Sequence, residues 1–238
     1  MDALATQRLT HYNWQDVTAS LHEKGYALLP GLLTGDECDS LKNNYNNDAL
    51  YRKTVVMERH RYGLGEYKYF NYPLPGLIEA MRVNLYPRLA PIANTWMQAL
   101  KIDTQYPALF SEFQRRCHDN NQTKPTALIL KYGKGGHNTL HQDLYGDVFF
   151  PMQAVLFLSD HGTDYTGGEF ILAQQIPRAQ SKVISLAPGK GDVLVFTTNF
   201  RPQKGAKEYY RVNVKHGVSE VQSGERYTMG IIFHDALS

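Results

Sequence analysis

The sequence predicts a mainly β protein with flanking α-helices, built on a jelly roll or another two-sheet sandwich. Three observations carry this. After residue 125 the chain breaks into seven or eight short β-branched segments separated by Gly, Pro or Asp, whereas before it apolar residues recur at helical spacing. The length of 238 residues suits one domain, because sandwiches and barrels often reach it without splitting. Hydrophobic residues make up 42% and charged residues 20%, enough apolar material for a core and too little charge for disorder. We therefore expect a single domain over 1–238, with 1–124 as a mainly helical support region and 125–238 as the jelly-roll core.

Taken in order, a first helix opens at Asn13 or Trp14, runs through "VTASLHEKG" and stops at Gly25. "YALLPGLL" reads as a short strand interrupted by Pro30. Thr34 caps a second helix, "GDECDSLKNNY", whose acidic residues fall in its positive first turn. "LIEAMRVNLYPRLAPIANTWMQAL" continues at helical spacing and is expected to break at Pro87 and Pro91. Strands follow near "TALILKY", "MQAVLFLS", "GGEFILA", "KVISLA", "DVLVFTT", "YRVNVKHGVSEV" and "YTMGIIFH".

Several function classes are disfavoured. The formal net charge of +2 is short of the basic signature of a dedicated nucleic-acid-binding domain. Cys38 and Cys117 stand far apart with no CxxC context, so reduced buried thiols are expected rather than a disulfide framework or a zinc site. The opening "MDALATQRLTHYNWQ" carries no basic and apolar leader, and no apolar run reaches the roughly 18 residues that span a bilayer. A cytoplasmic protein with no membrane association is expected, its oligomeric state left open.

The chemistry concentrates in "LHQDLYG". On an extended segment, positions i and i+2 point to one side, so His141 and Asp143 can present an imidazole and a carboxylate to one point while Gln142 faces away. A third ligand must come from elsewhere. His216, on a long strand pattern far downstream, is the best candidate, with His137 the rival in the same loop. Two histidines and one carboxylate make the facial triad that leaves open positions and suits non-haem Fe(II).

Arg226 extends the pattern. If "VQSGE" turns the chain into an antiparallel hairpin, His216 lies opposite Gly230 and Arg226 sits four residues further along the same face, about 13 to 14 Å away. Thr228 faces the same way. The gap left by an arginine side chain fits a five-carbon dicarboxylate, 2-oxoglutarate, with its far carboxylate paired to Arg226 and bonded to Thr228.

These residues stand in blocks, "LKYGKGGHNTLHQD", "DYTGGEFIL", "GDVLVF", "RVNVKHGVSEV" and "GERYTMGIIFHD", that resemble in order those of the Fe(II)/2-oxoglutarate-dependent oxygenases. The upstream "EYKYFNYPLPGL" and "LYPRLAPIANTW" resemble a bacterial family of these oxygenases, read as nucleic-acid-demethylase-like or prolyl-hydroxylase-like. The resemblance implies a double-stranded β-helix (jelly roll, cupin-like) core, with His141, Asp143 and His216 as iron ligands and Arg226 and Thr228 at the distal carboxylate. It also implies that Tyr132 contacts the co-substrate, as in the AlkB-type demethylases. Two departures are visible. Leu130 stands where the demethylase pattern has asparagine, and Arg226 follows His216 by only ten positions, the shorter spacing of the hydroxylase branch.

The resemblance further implies turnover with Fe(II), 2-oxoglutarate and O2, ascorbate serving as reductant. The carboxylate of Asp143 favours hydroxylation or demethylation over halogenation. For the substrate, Tyr145 and Asp147 follow the ligand loop, and Arg59, His60, Arg61, Tyr67, Lys68, Tyr69 and Tyr72 form an aromatic and basic stretch suited to cover the mouth. Glu169 sits nearby in "GGEF", and the neighbours His234 and Asp235 read as structural, since adjacent strand residues face opposite sides. A small-molecule or peptidyl substrate is expected, nucleic acid being possible but not favoured. The alternatives are an oxidative demethylase of alkylated nucleobases or nucleotides, and a non-oxidative cupin-like metal-binding protein.

Overall fold

Among the described residues, fifteen β-strands and four α-helices of more than one turn are defined, the helices packing on the large sheet. The computed structural model describes residues 7–176 and 178–238. The helices are α1 (Trp14–Lys24), α2 (Gly35–Asn43), α3 (Gly76–Ala99) and α4 (Phe110–Asp119). The strands are β1 (Tyr26–Leu29), β2 (Tyr51–Val56), β3 (Gly63–Leu64), β4 (Glu66–Phe70), β5 (Leu128–Tyr132), β6 (His137–His141), β7 (Met152–Phe157) and β8 (Tyr165–Gly167). There follow β9 (Phe170–Gln175), β10 (Lys182–Leu186), β11 (Val193–Thr197), β12 (Phe200–Lys204), β13 (Tyr209–Val218), β14 (Val221–Gly224) and β15 (Arg226–Ile232).

A seven-stranded sheet runs β1-β11-β7-β15-β5-β4-β2, and a second sheet runs β10-β9-β13-β6-β3 with β12 paired to β13. The period of two sorts side chains between them. Met152, Ala154 and Leu156 of β7, Val193 and Val195 of β11, and Met229 and Ile231 of β15 join the cluster that includes Ile78, Met81, Leu85 and Trp96 of α3. The alternate residues Val155, Phe157, Leu194 and Phe196 pack inward against Phe170, Leu172, Val212 and Val214 of the second sheet. Burying a side chain of this size stabilises by roughly 1.5–3 kcal/mol each, so both faces of the seven-stranded sheet contribute to stability.

Local chemistry sets the first helices as expected. Asn13 accepts from the Gln15 amide, and Gly25 takes φ 81° to close α1 onto the Leu21 carbonyl. Thr34 and Glu37 form a reciprocal capping box at the start of α2. Both cysteines are buried thiols. Among the described residues no helix is long and apolar enough to cross a membrane.

Two expectations are corrected. Pro87 and Pro91 do not break the third helix, which runs unbroken from Gly76 to Ala99. The missing amides strip one row of ladder bonds beside exposed Val83, while Leu85, Tyr86, Leu89 and Ala90 remain packed in the core; burial outweighs the local penalty. The "VQSGE" turn does not make a β13–β15 hairpin either. Gly224, at φ 78°, forms a corner where a Cβ would overlap the Asp164 carbonyl, and β14 pairs with β8 before the chain crosses to the other sheet. His216 therefore lies opposite His141 and Leu172, whereas Gly230 lies opposite Leu128 and Val155.

Four strands, β1 to β4, precede residue 125, and the aromatic stretch expected as a lid contributes β4 to the large sheet. Helix α3 is tied to the C-terminal segment by a buried ion pair. Arg82 donates to Asp235 at 2.8 Å, to the Phe233 carbonyl at 2.9 Å and to the Tyr72 hydroxyl at 2.8 Å. Both charged side chains are 0% exposed. Replacing Arg82→Met strands a buried carboxylate and is expected to cost about 3–5 kcal/mol, read as a lowered urea midpoint at pH 7. Lys101→Met, which removes the exposed Lys101–Glu208 pair, leaves the midpoint unchanged.

Candidate metal centre

Cross-strand pairing builds the centre. His141 ends β6 and His216 sits directly opposite it on β13, their ring centroids 4.2 Å apart. Asp143, two residues beyond His141, returns to the same side. One donor atom from each of the three lies within 4.8 Å of the others, and among the described residues this is the one such grouping of histidine, cysteine and carboxylate side chains. His216 Nε2 is 3.1 Å and His141 Nε2 3.6 Å from the two Asp143 oxygens. His137, the rival, has its Nδ1 beside the Gly135 carbonyl at 3.1 Å and is not in the group.

Outer partners orient these donors. The Thr139 carbonyl accepts from His141 Nδ1 at 2.8 Å, which leaves Nε2 with its lone pair toward Asp143. Tyr145 donates to Asp143 Oδ1 at 2.8 Å and Gln153 to Oδ2 at 3.0 Å. Burial alone would raise the Asp143 carboxyl; the His216 and His141 imidazoles and the Tyr145 hydroxyl outweigh it and hold the group well below the usual carboxylate range. Burial and the Asp143 charge in turn push the Tyr145 hydroxyl far up, so it stays a donor. Gln142 does face away, donating to the carbonyls of Asn199 and Val214.

The three residues open into a cavity of about 490 Å³ between the sheets. The inward residues of β15, Arg226, Thr228, Gly230 and Ile232, line it together. Arg226 is 1% exposed; it donates from Nη1 to Thr228 Oγ1 at 3.2 Å, while its Nε and Nη2 have no partner. Aromatic rings of Tyr132, Phe157 and Tyr165 surround the guanidinium at 5.5, 5.7 and 5.9 Å. No carboxylate among the described residues forms an ion pair with it. A buried cation with two free donors is costly unless an anion completes it. Gly168, at φ 64°, makes the room: a Cβ there would press on Arg226 Cδ at 3.0 Å. Tyr132 is fully buried in the same wall, pushed up to about 12 by burial, and its hydroxyl accepts from Asn138.

The expected substrate residues separate. Tyr145 and His60 line the cavity. Tyr72 does not: its hydroxyl belongs to the buried Arg82–Asp235 network, where Gln114 also donates to it. Asp147 lines a second cavity of about 410 Å³, because the chain after Tyr145 turns outward under Gln122, which holds Val148 at both its amide and its carbonyl. Arg59 is exposed on a short 3-10 turn and points at no described cavity. Glu169 bonds Ser219 outside the cavity lining, and Asp235 is structural as expected. Sequence reasoning missed Gln153, Asn138 and Arg52, all lining residues. Alternation along "MQAVLFLS" would have shown Gln153 as the polar residue on an inward face.

Comparison with known proteins agrees with this architecture. The chain is 44% identical over 197 residues to an uncharacterised protein of Mycobacterium tuberculosis strain H37Rv, spanning 83% of this chain and 79% of that one. Its fold is similar to a Pseudomonas putida prolyl-4-hydroxylase, with a TM-score of 0.56, 14% identity, and coverage of 94% of this chain and 99% of that one. An oxidoreductase of the 2OG-Fe(II) oxygenase family from Burkholderia pseudomallei gives a TM-score of 0.55 at 16% identity over 95% and 94% of the two chains. At these identities the likeness establishes the jelly-roll fold. Residues 65–236 match the family Oxygenase-NA, described as an oxygenase catalysing oxidative methylation of damaged DNA. The chain belongs to this oxygenase family.

Proposed function

We propose that the protein is an Fe(II)- and 2-oxoglutarate-dependent dioxygenase that hydroxylates a small-molecule or protein side-chain substrate, with release of succinate and carbon dioxide. The observation that carries this is Arg226, a buried guanidinium with two free donors lining the cavity that holds the His141, Asp143 and His216 donors. The donor set fits iron: two imidazoles and an ionised carboxylate from one side, with the other side open to the cavity. The buried wall fits the co-substrate, since Arg226 and the Thr228 hydroxyl, already turned to accept from Nη1, can both donate to a carboxylate.

Iron and 2-oxoglutarate supply the oxidation itself, converting O2 and the keto acid to succinate and carbon dioxide while one oxygen atom goes to the substrate. The chain's residues bind and orient. Tyr145 and Gln153 hold the two Asp143 oxygens, so the carboxylate meets the metal in one orientation. Phe170 and Phe196 pack on the His216 ring at 5.9 and 4.9 Å and keep water from that side. Tyr132, Phe157 and Tyr165 surround the Arg226 guanidinium and would shield a co-substrate carboxylate paired with it from solvent, strengthening that pairing.

A second reading, oxidative demethylation of alkylated nucleobases, is favoured by two observations. One is the family's description. The other is a His60–Tyr62 stack in the cavity lining, with ring centroids 5.3 Å apart and planes 22° apart, in a lining that also includes Lys53.

The test is release of labelled carbon dioxide from 2-oxoglutarate with Fe(II), ascorbate and pools of metabolites, peptides or methylated oligonucleotides. Stimulation by the metabolite or peptide pool is expected, stimulation by oligonucleotides alone would select the second reading, and metal binding with no consumption would leave a cupin-like metal protein. His141→Ala and Asp143→Ala are each expected to abolish turnover. Arg226→Gln is expected to raise the KM for 2-oxoglutarate on the order of 100-fold, about 3 kcal/mol for two charge-assisted bonds, with Fe(II) affinity nearly unchanged. Tyr145→Phe is expected to weaken Mn(II) affinity about tenfold by freeing the Asp143 carboxylate, measured by calorimetry.

A further inference from the structure

We propose that Arg52 anchors an anionic group of the primary substrate, a carboxylate or a phosphate monoester carried on an apolar body. This rests on the oxygenase reading above, and concerns the end of the same cavity remote from Arg226.

The backbone puts Arg52 there. In the β2–β4 ladder Tyr51 pairs with Phe70 and Lys53 with Tyr69, so Arg52 is the extra residue of a bulge. Such a bulge re-aims the side chain, and Arg52 lines the cavity together with its neighbour Lys53 and with Val55. The rows of the sheet give the separation. Lys53, Tyr69, Leu128 and Gly230 form one cross-strand row and Tyr132 and Arg226 another. Four residues of strand divide the rows, about 13 Å.

The guanidinium is held and unpaired. Its Nε donates to the Pro125 carbonyl at 3.0 Å and its plane lies over Tyr69, 4.7 Å from the ring centroid. Two independent contacts thus fix a half-buried cation in one orientation with its outer nitrogens available. Nearby Lys68 and Lys131 pair with Asp48 and Glu225, but among the described residues neither Arg52 nor Lys53 has a carboxylate partner. Of the side chains lining the cavity, Asp143 alone is a carboxylate, and it faces the two histidines; Ser238, also in the lining, forms no ion pair with Arg52 or Lys53. Arg52 and Lys53 therefore make this end of the cavity favour an anion.

Contact continues inward from the anchor. Tyr69 donates to the Tyr145 hydroxyl at 3.1 Å, and Tyr145 reaches Asp143. A substrate held by its anion at Arg52 would lay its body along Tyr67 and Tyr69 toward the metal donors, while Arg226 is reserved for the co-substrate.

The test uses full-length protein loaded with Mn(II) and 2-oxoglutarate, whose own binding is measured first. Calorimetric titration with phenyl phosphate, benzoate and neutral benzyl alcohol follows. At least one aryl anion is expected to bind one to one and ten times or more tighter than the alcohol. Arg52→Gln should lose at least tenfold of that affinity and Arg52→Lys a smaller part, with Mn(II) and 2-oxoglutarate binding unchanged in both. Preference for the phosphate or the carboxylate identifies the source of the anion. The assignment is overturned if neither anion binds to loaded protein, if the alcohol binds equally well, or if both Arg52 variants bind the anions as the wild type does. Failure of Mn(II) and 2-oxoglutarate to bind at all would instead strike the oxygenase reading on which it rests.

Discussion

The direct pairing of His216 with His141 across β13 and β6 is the contact from which the centre is built. Cross-strand neighbours have Cβ atoms about 4.5–5.5 Å apart, close enough for two imidazoles to share one ion without any loop to hold them. Asp143 then needs only the two-residue period of extended chain to join them. Because both histidines stand on a sheet packed through Phe170, Leu172, Val212 and Val214, the geometry is set by the core rather than by flexible segments.

Electrostatics divide the interior into groups that are satisfied and groups that are open. Arg82 and Asp235 neutralise each other at zero exposure, with Tyr72 and His118 completing the carboxylate. Arg226 is equally buried and has no such partner. The contrast matters because the energetic cost of an unpaired buried cation is several kcal/mol, so a fold that retains one reserves the place for an anion that arrives from outside. Arg52, fixed by Pro125 and Tyr69, repeats the logic at the mouth with a weaker cost, since it is only half-buried.

Much of this was legible in the chain. The seven strand segments read after residue 125 all correspond to strands, and the parity argument that placed Thr228 on the face of Arg226 holds along β15. The hairpin used to relate His216 to Arg226 does not exist: the two residues come from opposing sheets, and they meet because both sheets turn their inward faces to one cavity. Tyr72 looked like a site residue because it belongs to an aromatic and basic stretch suited to a cavity mouth, and Asp147 because it is acidic and follows the ligand loop. Their side chains went instead to a buried ion-pair network and to a separate cavity, outcomes that depend on partners distant along the chain, Asp235 for Tyr72 and Gln122 for the segment after Asp147.

By itself the sequence determined the features that have a local cause: the caps at Asn13 and Thr34, the stop at Gly25, the two-residue spacing of His141 and Asp143, and the alternation that makes one face of each strand apolar. Only the tertiary structure decided which sheet each strand entered, that β2 and β4 would widen the large sheet, and that a bulge would turn Arg52 inward. Periodicity reports which way a side chain points relative to its own strand. What it points at depends on long-range pairing, where burial over the whole core outweighs local preference, as Pro87 and Pro91 inside an unbroken α3 make plain.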